Sequence, residues 1–340
     1  MELISNLERE IGARVMSFIT GDRQGMETRI APDVLPLITE HLSRIGPTDT
    51  LALFLYTAGG DTIAGWGLVS LLRQYCANLI VLVPFRALSC GTLIALGADK
   101  IWMGRHGFLS PIDPSVASPF NPQAPGVQQP GSVSLLPVSV EDMIGFLELA
   151  RTEIQLTSEK SLCEVLKILS EKVHPLALGA VYRAREQSSS LAKRLLLHHS
   201  KDEKGAEEIV KKLTKELPTH NYLIGRKEAS IDIGLDIVEP PNHVEQLLWH
   251  LYKEYENWLK LTSPTSVELD LGEDDNKIIR YERACIESIS DGSLAQHIFI
   301  TQKMLSKVAV TATGTQEPIH QIAERKIYEG WTFNIQRGEI

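Results

Sequence analysis

Scarcity bounds this chain before any motif does. Cysteine occurs four times in 340 residues. Cys76, Cys90, Cys163 and Cys285 show no Cys-x-x-Cys spacing and no histidine pattern beside them. Neither a zinc knot nor a disulfide framework is indicated, so the thiols are read as reduced and no metal is expected. Positive charge is also short: 34 Lys plus Arg stand against 43 Asp plus Glu, a formal net charge of -9. Nucleic-acid binding needs clustered cations, so nucleic acid is not an expected partner. There is no Gly-x-Gly-x-x-Gly stretch and no phosphate loop, hence no implied cofactor.

Long apolar runs are missing as well. Residues 1–30 carry Glu2, Glu8, Arg9, Glu10, Arg14 and Asp22 without the apolar core of a secretory signal. The most membrane-like stretch, 79–98, is interrupted by Pro84, Arg86 and Ser89, which lipid would not accept. The expectation is a cytoplasmic protein without a membrane span. With 43% hydrophobic residues it has enough apolar surface for a large core.

What is present reads as α/β. Strands are expected at 13–20, 51–56, 78–83 and 100–103, and helices at 31–45, 62–75 and 91–97. Repeated βαβ units with right-handed crossovers give a parallel spiral. From Ser139 the apolar spacing becomes helical, through 162–173, 176–198 and 203–217. Between them, 115–137 turns to Pro, Gln, Ser, Asn and Gly, the composition of an exposed loop that serves as a lid, as a partner-binding segment or as a passive insertion. Helix 244–261 carries Trp249, Tyr252, Tyr255 and Trp258, suited first to packing on its own domain and also to self-association. Strands are expected at 278–289, 297–301 and 307–313.

One stretch has the grammar of chemistry. Ser89 falls between the apolar strand ending at Val83 and a helix of small residues. A helix N-terminus offers unpaired N–H groups and positive dipole to an oxyanion. The second strand ends in Thr57-Ala58-Gly59-Gly60-Asp61, where a glycine pair turns the chain with its amides exposed. A serine there also serves as a plain N-cap, and a glycine pair as a plain turn.

The segments 56–65, Ser89-Cys90-Gly91, Ala98-Asp99-Lys100-Ile101, Ser110-Pro111-Ile112-Asp113-Pro114, 174–183 and 224–229 together resemble the Clp protease and signal peptide peptidase superfamily with its crotonase-like fold, and within it the serine dehydrogenase proteinase family. The resemblance spans roughly residues 10–260. It implies a spiral α/β domain at 1–262, with a helical second half and the loop insertion 115–137; outside the resemblance, the strands expected beyond residue 277 read as a small β-rich C-terminal module at 263–340. It implies a serine endopeptidase working through an acyl-enzyme on Ser89, with oxyanion donors at the Gly60 and Cys90 amides and Gly59 shaping the turn. It also implies a peptide or protein substrate and self-association. A further protein partner would use 115–137 or 263–340. Despite the family's name, no dinucleotide fingerprint occurs.

The base stays open. Where Clp proteases carry a histidine after the serine, this chain has Asp113; where signal peptide peptidases use a lysine, it has Lys172-Val173-His174-Pro175. Histidine needs little tuning to accept a proton near neutrality and lysine needs desolvation, so His174 leads and Lys172 follows. His106 reads as a turn residue, and Asp61 and Asp113 as loop caps or partners of an amide or of Arg86. Two other functions share the fold: an acyl-thioester enzyme of crotonase type, and a non-catalytic scaffold.

Overall fold

A computed structural model describes residues 1–112, 115–116, 119–122, 138–310 and 319–337. Among them the chain forms two compact units, Met1–Leu109 with Ile224–Ile340, and Ser110–Leu223.

The first unit starts with α1 (Glu2–Ile11), β1 (Arg14–Thr20), α2 (Val34–Ile45), β2 (Thr48–Tyr56), α3 (Thr62–Tyr75), β3 (Cys76–Val83), α4 (Cys90–Leu96), β4 (Lys100–Met103) and β5 (Phe108–Leu109). The second unit contains β6 (Ser115–Val116), β7 (Val138–Ser139), α5 (Val140–Glu148), α6 (Glu159–Lys172), α7 (Pro175–Leu196) and α8 (Glu203–Lys211). The chain re-enters the first unit with β8 (Ile224–Gly225), α9 (Arg226–Glu228), β9 (Ile237–Val238), α10 (Asn242–Leu259), α11 (Val267–Leu271), β10 (Asn276–Ser290), β11 (Ser293–Val310) and β12 (Ile319–Arg337).

The class expected from the sequence, α/β, is the one found. An eight-stranded mixed sheet runs β12-β11-β10-β1-β2-β3-β4-β9. From β1 to β9 neighbours are parallel, and β10, β11 and β12 add antiparallel strands at the β1 edge. The parallel strands are continuous apolar runs because both faces are covered. On one face Val15, Ile19, Ala52, Phe54, Tyr56 and Leu82 pack with Ile4 and Leu7 of α1 and the Val244, Leu248, Leu251, Tyr252, Tyr255 stripe of α10. Alternation sends Phe18, Leu53, Leu55 and Val81 to the other face, where α2 and α3 bury Ile38, Leu42, Leu68 and Leu72. Each such fully buried side chain contributes about 1.5–3 kcal/mol.

The C-terminal stretch beyond 262, expected as a separate small module, is β-rich and is part of the main sheet. β1 lies between two partners: Phe18 pairs with Leu55 on one side and with Ile286 on the other. Without β10 it would be a buried edge with an open row of backbone groups. The two strands expected at 297–301 and 307–313 form a single β11 up to Val310. α1 and β12 were not expected. The aromatic helix packs inward: Tyr252 and Tyr255 are buried, Trp249 lies against Phe85 and Tyr252, and the Trp258 indole donates to Glu282.

In the second unit, α6, α7 and α8 start at the side-chain caps Ser158, His174 and Asp202. The buried side of α7 is Ala177, Val181, Ser188, Leu191, Ala192 and Leu195, a helical spacing. Apart from Ser115, Val116 and residues 119–122, the loop at 115–137 lies outside the described residues, as does Asp113. No helix among the described residues is long and apolar enough to cross a membrane. All four cysteines are free, Cys163 exposed and Cys90 and Cys285 buried.

Candidate active site

The Gly-Gly turn and Ser89 meet at the carboxyl ends of β2 and β3, where parallel α/β sheets place their sites. Beyond the strands the two chains stay in register: the Thr57 N–H donates to the Arg86 carbonyl at 3.0 Å and the Leu88 N–H to the Thr57 carbonyl at 3.0 Å. Ser89 then takes φ 51°, ψ −111°, a conformation an L residue adopts only under constraint, and α4 begins at the next residue. Such a turn presents the side chain at the strand-to-helix corner.

Small residues make the corner possible. A Cβ on Gly91 would lie 2.5 Å from Thr57 Cγ2, so only glycine lets α4 approach the end of β2 this closely. Gly59, at φ 108°, is pressed against the serine: a Cβ there would lie 2.8 Å from Ser89 Cβ and 3.2 Å from Ser89 Oγ. Gly60 runs against residue 30, whose backbone oxygen would be 2.2 Å from an added Cβ. The Ile30 N–H donates to the Gly59 carbonyl at 3.0 Å, and the Asp61 N–H to the Ile30 carbonyl at 2.8 Å. Thr57 Oγ1 accepts from the Gly59 N–H at 2.9 Å, and Thr20 Oγ1 donates to Thr57 Oγ1 at 2.6 Å.

With those bonds made, the backbone N–H groups of Gly60 and Cys90 donate no hydrogen bond among the described residues. One belongs to the glycine turn and the other is the first amide of α4, in the field of its dipole. Gly59, Gly60, Ser89 and Cys90 are thus gathered in one unit. The arrangement can hold a hydroxyl beside donors unused by the fold, the elements of oxyanion stabilisation.

The Cys90 side chain takes another course. Its thiol is buried, donates to the Asp61 carbonyl at 3.1 Å, and fits because Gly65 opposite has no Cβ. Burial, reinforced by the Asp61 charge, pushes its pKa up to about 12, so no thiolate is available there near neutrality. Asp61 caps α3 through the Ala64 N–H at 2.7 Å, and Arg86 pairs with Asp22 at 2.8 Å. Asp99, in the Ala98–Ile101 segment, accepts from the Leu79 N–H at 2.7 Å and pairs with Arg73 at 3.2 Å, tying the end of α4 to β3. His106 is an exposed turn residue lying against Trp249, ring centroids 4.6 Å apart and the planes tilted by 42°.

Lys172 and His174 belong to the second unit. Lys172 is the exposed last residue of α6. His174 caps α7: its Nδ1 accepts from the Leu176 N–H at 3.2 Å, and its ring stacks on Phe120 at 4.8 Å. With Nδ1 accepting, the neutral ring carries its proton on Nε2. Taking up a second proton, which only Nδ1 could accept, would cost the cap. The reading from sequence overlooked Asp22, which accepts from the Tyr56 hydroxyl at 2.8 Å and from Arg86. The available signal was a carboxylate two residues beyond a strand end, alongside Tyr56 and Arg86 just past two other buried runs.

Comparison with known proteins adds the following. Two uncharacterized proteins of Methanocaldococcus jannaschii are similar to this chain: MJ1495 is 28% identical over 259 residues, 73% of this chain and 75% of the relative. MJ0137 is 29% identical over 214 residues, 62% of each, so the chain spans under two thirds of that relative. Among solved structures, a variant of the 1510-N membrane-bound stomatin-specific protease overlaps with a TM-score of 0.37 at 16% identity, covering 69% of this chain and 84% of that one. A ClpP1 variant from Listeria monocytogenes overlaps with a TM-score of 0.36 at 14% identity, covering 70% and 99%. Residues 38–128, which carry both the Gly-Gly turn and Ser89, match the family of ClpP-like SDH-type serine proteinases.

Proposed function

We propose that the chain is a serine peptidase that hydrolyses peptide bonds through an acyl-enzyme on Ser89. The observation that carries this reading is the strained Ser89 corner, with Gly59 packed on it and the Gly60 and Cys90 amides unused by the fold. The serine-proteinase match over the same residues supports it. In the proposed reaction Ser89 Oγ attacks the substrate carbonyl carbon while its proton passes to a base. The two amides take the negative charge of the tetrahedral intermediate, each worth about 3–4 kcal/mol in the transition state. The base returns the proton to the leaving amine, and water then attacks the ester by the reverse sequence.

For the base we propose His174, with Lys172 second. A peptide or protein substrate, a reducing cytoplasmic setting and self-association belong to the same proposal. The four free thiols accord with that setting. The Trp249 and Trp258 helix face is used in the fold, so assembly would employ another surface; sedimentation giving only monomer across micromolar concentrations removes that part.

The direct test is hydrolysis of unstructured protein and of fluorogenic peptides by the full chain and by Ser89→Ala. The wild type is expected to cleave and the variant to lose roughly a thousandfold or more. Equal turnover by both proteins would end the reading. Turnover of acyl thioesters that survives Ser89→Ala would replace it with crotonase-type chemistry.

A further inference from the structure

We propose that Asp22 is a positioning residue for this site: one carboxylate couples the end of β2, which leads to the Gly60 amide, to the segment after β3, which leads to Ser89. The inference rests on the reading of Ser89 as the nucleophile. Asp22 lies two residues beyond β1, with its side chain 15% exposed. The Tyr56 hydroxyl reaches its two oxygens at 2.8 and 2.9 Å, and Arg86 Nη1 reaches Oδ2 at 2.8 Å. Tyr56 is the last residue of β2, four before Gly60, and Arg86 stands three before Ser89.

The same loop holds the glycine turn at its far end, where Ile30 brackets Gly60 through the Gly59 carbonyl and the Asp61 N–H. Residues 21–30 thus grip the Gly-Gly segment both before and after the turn. The loop is itself fastened to β10. The Gly21 N–H donates to the Arg283 carbonyl at 2.8 Å, Arg283 Nε donates to the Met26 carbonyl at 2.8 Å, and Arg283 Nη2 donates to the Glu27 carbonyl.

A charge-assisted bond to a planar guanidinium fixes direction as well as distance. Burial, with Asp22 beside it, raises the Tyr56 pKa far above its ordinary value, so the phenol stays a neutral donor at any pH of interest. Taking the charge from Asp22 leaves Arg86 without its anionic partner and weakens the acceptor for a phenol only 2% exposed. Both strand ends then lose their shared side-chain tie, and the Thr57–Arg86 and Leu88–Thr57 backbone bonds are left to hold them together. Acyl transfer feels such displacement in the turnover step, because an error of about 1 Å in placement costs roughly a hundredfold.

The test uses the full chain and Asp22→Asn, which keeps size and shape. Three quantities are read: hydrogen exchange of peptides covering 57–61 and 86–90, the rate of Ser89 labelling by a fluorophosphonate, and kcat and KM on a cleaved peptide. Expected are faster exchange in both segments, labelling slowed roughly ten- to hundredfold, and a matching fall in kcat with KM within about twofold. Tyr56→Phe should move all three the same way by less, and Asp22→Glu should recover part of the loss. Unchanged exchange and labelling in a folded Asp22→Asn overturns the proposal. So does a loss that merely follows the fraction unfolded, because that is a plain structural role. If wild-type Ser89 takes no label while exchange at 57–61 still rises in Asp22→Asn, the coupling stands and the nucleophile reading falls.

Discussion

In the first unit the candidate groups are fixed in advance: Ser89 sits at φ 51°, Gly59 and Gly60 admit no side chain, and the amides of Thr57, Gly59, Asp61, Leu88 and Gly91 have acceptors within the fold. The second unit carries Lys172 and His174 on exposed helix ends, one a last residue and the other a cap. Backbone strain and close approach persist only where the surroundings over-determine them, and they mark a place that ordinary folding would avoid. A histidine capping a helix marks nothing of the kind, because capping explains it. The contrast teaches that the serine half of the proposed chemistry stands on geometry and the base half on sequence pattern.

The glycines break the comparison most violently. Gly60→Ala would drive a Cβ to 2.2 Å from the backbone oxygen of Ile30 and 2.4 Å from its nitrogen, a main-chain clash that no side-chain rotation relieves. A loss of about 3 kcal/mol or more in denaturant unfolding is expected. Gly59→Ala meets a side chain instead, Ser89, at 2.8 Å, so its fall in stability should be smaller and its effect on Ser89 labelling should dominate, about a hundredfold.

The base assignments sharpen it next. Asparagine caps helices well, so His174→Asn keeps the start of α7 while removing the base, and His174→Ala loses both, at about 1 kcal/mol for the cap. If His174 takes the serine proton, both variants lose roughly a hundredfold in peptide turnover. If it is only a cap, Asn matches wild type and Lys172→Ala shows the loss instead.

A third effect concerns where the C-terminal strands meet the helices. His41 of α2 is buried, with Nδ1 at 2.6 Å from Ser288 Oγ of β10 and Nε2 at 3.1 Å from Nδ1 of His297 of β11; Glu40 and Arg44 flank the pair. Burial, the neighbouring His297 and Arg44 lower the His41 pKa to about 3, and burial lowers that of His297 too. The unfolded chain takes up these protons near pH 6.5, and the folded one refuses them. The stability they contribute is therefore whole above that pH and is lost as pH falls toward 3. Melting temperature should drop between pH 7 and pH 4.5, with a shallower slope in His41→Gln. The smallest effect is chemical: an alkylating reagent should modify Cys163 first and reach Cys90 and Cys285 only on unfolding, as peptide mapping would record.

Much of the first unit was legible. Apolar runs located β1 to β4, because a parallel strand buried on both faces needs nothing but aliphatic residues. The glycine pair and Ser89 stood out because few residue types permit those backbones. The route of the C-terminus was not legible, since an antiparallel strand beside β1 differs in no local way from one in a separate module. Its Asp291-Gly292 turn, at φ 49° and 68°, was nonetheless a readable hairpin signal. Asp22 escaped for a related reason: its partners Tyr56 and Arg86 lie 34 and 64 residues away, and only the sheet brings them to it.

The central claim is that Ser89 is a nucleophile held ready by its backbone. Treating the native full chain with a fluorophosphonate and mapping the modified peptide by mass spectrometry tests it most directly. The account predicts a single stoichiometric adduct on Ser89, absent from Ser89→Ala and from heat-unfolded protein. No adduct on active protein, or one on another residue, would contradict it.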